Sequence, residues 1–168
     1  MTKSIVIMGV AGCGKSSLGV EVARATDLSL VEGDDHHSPD SRDKMSHGVA
    51  LTDADRDGWL SALGNQLRSH PRGVVLTCSA LKRAYRERLR QAAPGLRFVF
   101  MNISREQAQA RVAARAPRHF FSSSLVDSQF ATLESPLGEP GVLRVDALSP
   151  LSQLQAEVSA WLGPKEQA

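Results

Sequence analysis

Short apolar runs separated by amphipathic stretches organise this chain. Residues 5–8, 28–31, 74–78, 96–101 and 142–145 are short, largely apolar, β-prone segments. Mostly apolar runs of this kind, without regular polar alternation, are those of strands covered on both faces by crossover helices. Helical patterns lie between them at 16–25, 54–68, 80–92, 105–114 and 151–162, and a further one (Leu125, Gln129, Thr132, Leu133) precedes the Pro- and Gly-rich loop at 136–141. The alternation predicts an α/β fold of three layers, α/β/α, around a parallel five-stranded sheet. The helix at 54–68 has the clearest start: Thr52-Asp53-Ala54-Asp55 reads as a capping box, and Trp59, Leu60, Leu63 and Leu67 form one apolar face. Ser79 is placed to cap the helix at 80–92.

Between the first run and the first helix, Gly9-Val10-Ala11-Gly12-Cys13-Gly14-Lys15-Ser16 satisfies every fixed position of G-x-x-x-x-G-K-[ST]. Glycines let the backbone turn tightly enough to aim N–H groups at phosphate oxygens, and the following helix adds its positive dipole end. The reading is a nucleoside triphosphate held by Gly9, Ala11, Gly12, Cys13, Gly14, Lys15, Ser16 and Ser17, with Lys15 at the β/γ-phosphates and Ser16 on Mg²⁺.

Composition narrows the remaining choices. With 168 residues the chain is one domain (1–163) with a frayed tail at 164–168, so a single fold serves every ligand. An apolar fraction of 42% and a charged fraction of 23% are those of an ordinary globular protein. No apolar stretch approaches the ~20 residues that span a bilayer. The N-terminus runs straight into the first strand, which argues against a cleavable signal and for a cytoplasmic protein. Cys13 and Cys78 make neither a disulfide framework nor a zinc site and read as small filler residues. A net charge of +2 is too small for a nucleic-acid surface, although Lys82, Arg83, Arg86, Arg88 and Arg90 crowd together.

In open α/β sheets ligands collect at the carboxyl ends of strands, and that rule selects the candidate residues. After the second strand, Asp34, with Asp35 as second choice, can hold Mg²⁺ through water or accept the proton of an attacking hydroxyl. After the third, Lys82 and Arg86 stand four apart, a spacing that puts both on one helix face as a pocket for an anionic group. After the fourth, Arg111 and Arg115 repeat that spacing. With Arg118, His119, Phe120 and Phe121 beyond Pro117 they suit a lid at about 111–124 that brings guanidinium groups to a transferring phosphoryl.

These segments resemble the gluconate kinases, or gluconokinases, over nearly the whole chain. Cys78-Ser79-Ala80-Leu81-Lys82 with Tyr85-Arg86, and His119-Phe120-Phe121, are the specific matches, in the family's order and spacing, and Ser128-Gln129-Phe130 with Thr132-Leu133-Glu134 matches as well. The resemblance implies transfer of the ATP γ-phosphoryl to the 6-hydroxyl of D-gluconate, with Mg²⁺, in a homodimer. It places Asp34, His37, Arg56, Lys82, Arg86 and His119, with Ser79, at the sugar acid, and Arg111 and Arg115 in the phosphate clamp. Arg56, Lys82 and Arg86 all qualify as partner of the substrate carboxylate. Ala50 and Gly58 stand where the family pattern has prolines, which is expected to loosen the loop entering the Trp59 helix, and Arg118 replaces a small residue. A kinase acting on shikimate or a nucleotide, a switch GTPase (Asp55-Arg56-Asp57-Gly58 fits D-x-x-G) and a nucleotide-binding regulator without turnover are the competing readings.

Overall fold

The computed structural model describes residues 2–115 and 123–164. In chain order the elements are β1 (Ile5–Met8), α1 (Lys15–Thr26), β2 (Ser29–Glu32), α2 (Pro39–Ser46), α3 (Asp53–Ser69), β3 (Val74–Thr77), α4 (Arg83–Ala92), β4 (Arg97–Asn102), α5 (Arg105–Arg115), α6 (Ser123–Thr132), β5 (Val142–Asp146) and α7 (Leu151–Leu162). A short 3-10 turn, Gly33–His36, follows β2. All strand pairs are parallel, and the sheet order is β2-β3-β1-β4-β5.

β1 is apolar at every position because both its faces are covered. Ile5 and Ile7 enter one core with Leu18 and Val22 of α1 and Leu154 and Val158 of α7. Val6 and Met8 enter another with Trp59, Leu60, Leu63 and Leu67 of α3 and Leu89 of α4. All of β3 and most of β4 are buried in the same way. It does not hold for β2, expected to be doubly buried: as an edge strand it is only half-buried, as is β5 at the other edge.

The capping box of α3 forms as the sequence predicts. Asp55 N–H donates to Thr52 Oγ1 at 3.1 Å, and Thr52 N–H donates back to Asp55 Oδ2 at 2.8 Å. Lys44 Nζ adds an ion pair at 2.9 Å. The Thr52 backbone bond first, then Lys44, carry the Asp55 carboxyl from its ordinary 3.8 to about 2. A lowered carboxyl pKa contributes stability that is complete above the unfolded value and is lost as pH falls through the folded one. Acid unfolding should therefore show a contribution from Asp55 between about pH 4 and about pH 2 that Asp55→Asn removes; identical acid limbs for the two proteins would contradict it.

Three local expectations are corrected. α4 begins at Arg83, because Ala80 takes the left-handed φ of 47° and Lys82 is extended. Ser79 therefore does not cap α4, and the Arg83 N–H is taken by Glu134 Oε1 at 2.8 Å. Gly58 lies inside α3, so the capping box and not residue 58 fixes the entry to the Trp59 helix. Helix α2 had no counterpart in the apolar pattern: only Ser41 and Met45 of its eight residues are buried, and its start is set by Ser38 Oγ accepting from Ser41 N–H, with Pro39 at the first helical position.

Candidate functional site

Strands β1, β3 and β2 are neighbours, and the loops leaving their carboxyl ends meet in one crevice. The first is the phosphate loop. Gly12 and Gly14 have φ of 83° and 96°, which only glycine adopts without strain, and a side chain on Gly12 would meet the Ala108 carbonyl at 2.9 Å. The loop ends at the amino end of α1, an anion-binding arrangement. Lys15 folds back over it, Nζ donating to the carbonyls of Gly9 and Val10 at 2.9 and 3.2 Å. Cys13 is fully buried beneath the loop, and burial pushes the Cys78 thiol up to about 12. Both are filler.

The second loop follows β2. Ser16 Oγ donates to Glu32 Oε2 at 2.9 Å, and Thr77 Oγ1 donates to the same oxygen at 2.6 Å. Magnesium takes hard oxygen ligands and keeps several waters. The Ser16 hydroxyl and Glu32 carboxylate fit that chemistry, whereas among the described residues no three His, Cys, Asp or Glu gather as a transition-metal site would need. Gly33 backs onto the Thr77 carbonyl with no room for a Cβ, which turns Asp34 into the crevice while Asp35 is exposed. His37 Nε2 lies 3.6 Å from Asp34 Oδ1. The His37 ring stacks on Trp59 at 4.3 Å, and Trp59 Nε1 donates to the Gly33 carbonyl at 2.8 Å. His37 Nδ1 is buried without a hydrogen-bond partner among the described residues, a polar atom left for a ligand.

The third wall comes from Ser79 after β3, Arg56 of α3 and Met45 of α2, and α6 closes the crevice with Leu125, Ser128 and Gln129. Gln129 Oε1 accepts from the Ala11 N–H at 2.6 Å, tying α6 to the phosphate loop.

Of the residues picked from the sequence, Ala11, Lys15, Asp34, His37, Arg56 and Ser79 line this one crevice. Lys82 does not; its Nζ lies 2.9 Å from Asp53 Oδ1. Nor does Arg86, whose side chain is 0% exposed and ion-paired with Glu139 at 2.6 Å. The pocket expected from their four-residue spacing is thus not formed, because α4 starts at Arg83 and Arg86 faces the core. Arg111 braces the phosphate loop from the far side, donating to the Gly12 and Cys13 carbonyls at 3.2 Å and to the Ala147 carbonyl at 3.1 Å. Arg115 is exposed at the end of α5. Arg118, His119, Phe120 and Phe121 lie outside the described residues. Two residues were not taken as site candidates from the sequence, Gln129 in the crevice and Glu32 beside it at Ser16: Glu32 closes a strand, and Gln129 meets Ala11 only through the fold.

The crevice joins a phosphate loop and its lysine to an arginine, a histidine and a carboxylate, groups suited to moving a phosphoryl onto a polar anionic acceptor. The D-x-x-G segment of a switch GTPase has no such place: Asp55 is used in the capping box and Gly58 is within α3.

Comparison with known proteins agrees. A family model described as AAA domain matches residues 5–140. The gluconokinase of Gluconobacter oxydans is 42% identical over 144 residues, 84% of this chain and 80% of that protein. A gluconokinase crystal structure from Sinorhizobium meliloti is 47% identical with a TM-score of 0.87, covering 95% of this chain and 90% of that one. An unliganded sugar kinase from Janibacter superposes with a TM-score of 0.90 at 36% identity, covering 96% and 95%.

Proposed function

From the premise that this chain belongs to the gluconokinase family, phosphotransferases with an alcohol acceptor, we propose that its crevice transfers the γ-phosphoryl of ATP to the 6-hydroxyl of D-gluconate, giving 6-phospho-D-gluconate and ADP. The observation that carries this reading is the meeting of Lys15 with Asp34, His37 and Arg56 in one crevice. The 6-hydroxyl oxygen bonds to the γ-phosphorus, the bond to the β–γ bridging oxygen breaks, and the hydroxyl proton passes to the Asp34 carboxylate. Lys15 and the loop amides neutralise charge on the phosphates. His37, Arg56 and Ser79 hold the acid, Arg56 being the cation at the crevice for its carboxylate. Mg²⁺, when bound, neutralises phosphate charge, and Ser16, Glu32 and Asp34 supply the protein oxygens that would hold it. Arg111 and Arg115 in a phosphate clamp, His119 at the sugar acid and a homodimer rest on the family likeness.

Asp34→Asn is expected to lower kcat by about 100-fold or more, the scale of a lost general base; near-normal kcat would remove the proton-accepting role. ADP release measured across gluconate, shikimate and AMP tests the acceptor. The reading predicts turnover with gluconate, and a preference for either of the others would reassign the site.

A further inference from the structure

Arg56 is anchored through one nitrogen. Its Nη1 donates to the Leu51 carbonyl at 3.1 Å and to the Tyr85 hydroxyl at 3.3 Å, which among the described residues leaves the Nε and Nη2 donors for a ligand. The Tyr85 hydroxyl also contacts the Asp53 carboxylate, and Asp53 takes Lys82 Nζ at 2.9 and 3.2 Å. Chemistry fixes the direction of each bond in this chain. A guanidinium and an ammonium only donate, and an ionised carboxylate only accepts. The phenol must therefore give its single proton to Asp53 and turn a lone pair toward Arg56. Lys82 and Arg56 also lie over the Tyr85 ring, at 5.7 and 5.6 Å from its centroid. Burial, then the bond to Asp53, raises the Tyr85 pKa, and the Tyr85 and Lys82 bonds hold Asp53 below the usual carboxylate range, so the donor stays protonated and the acceptor ionised.

We propose that Tyr85 is a positioning residue for the sugar acid: its hydroxyl, oriented by Asp53 and Lys82, holds Arg56 so that the free guanidinium N–H groups face the acceptor. The inference rests on the gluconate reading above and deepens it. It gives Lys82, which stands outside the crevice, an indirect part through Asp53.

The test compares KM for gluconate and for MgATP in Tyr85→Phe, Asp53→Asn, Arg56→Ala and the Tyr85→Phe/Arg56→Ala double variant. Tyr85→Phe should raise the gluconate KM about tenfold, the scale of one hydrogen bond to a charged group, and leave the MgATP KM within about twofold. Arg56→Ala should raise it further, and the double variant should match Arg56→Ala alone, since Tyr85 acts only through Arg56. Asp53→Asn, at a side chain 67% exposed, gives the same readout should Tyr85→Phe fail to fold. A raised gluconate KM in Arg56→Ala with Tyr85→Phe and Asp53→Asn unchanged overturns the inference and leaves the acceptor reading standing. Additive effects in the double variant also overturn it, marking Tyr85 as merely structural. An unchanged gluconate KM in Arg56→Ala overturns Arg56's place at the acid and the inference with it.

Discussion

Lys15→Ala should lower kcat by about 100- to 1000-fold while the protein keeps its fold, the range found when a donor aimed at developing transition-state charge is removed. The side chain is only half-buried and its bonds run to the Gly9 and Val10 carbonyls of its own loop. Truncation therefore leaves those carbonyls to water instead of opening a cavity. Its chemistry is irreplaceable for a different reason: a compact ammonium reaching the β/γ-phosphates acts on the charge that moves during transfer. Steady-state ADP release with gluconate, alongside a thermal melt, checks both halves. Retention of kcat within about tenfold of the parent would mean that the phosphoryl group does not react at this loop.

Arg86→Ala should have the larger effect on stability and little on substrate affinity. The guanidinium is fully buried, donates to the Ala80, Leu81 and Glu134 carbonyls at 2.7, 3.2 and 3.0 Å, and pairs with Glu139, whose side chain is 7% exposed. Burial works against the Glu139 charge, but the bonds from Arg86 and Arg90 outweigh it and hold the carboxyl below its usual value. Removing Arg86 strands that carboxylate on Arg90 alone and leaves the strained turn at Ala80 without its brace. Breaking a buried pair from one side costs about 3–5 kcal/mol, on the order of 10 °C in Tm for a domain of this size. Removing both partners with Arg86→Leu/Glu139→Leu should recover part of that loss, because no unpaired charge remains. A stable Arg86→Ala protein with a raised gluconate KM would return Arg86 to the acceptor site.

Arg86 also shows where the sequence stops being legible. Helical spacing relates Lys82 to Arg86, but it cannot show that α4 starts at Arg83 or that Glu139, far along the chain, waits on the core side. Local patterns served well where one element decides the outcome. β1, the capping box of α3 and the span of α7 follow from runs of apolar residues and one cap. They failed where partners come from afar. Gln129 reads as one more polar position on α6 until the fold sets it against Ala11. Glu32 ends a strand whose apolar run does not say which side chain will meet Ser16. Helix α2 is almost wholly polar, so only its Ser38-Pro39 start betrays it. Within the crevice, Lys15 and Asp34 were legible because the phosphate loop and the strand-end rule both point there. Tyr85 was visible as a motif position without a task.

Phosphorus NMR of the product formed from MgATP and D-gluconate tests whether this crevice joins a phosphoryl group from ATP to the terminal hydroxyl of gluconate. A new phosphomonoester signal, split into a triplet by the two protons of the terminal methylene, should appear together with ADP. A doublet, which places the phosphate on a carbon bearing one proton, or ADP formed with no ester at all, would contradict it.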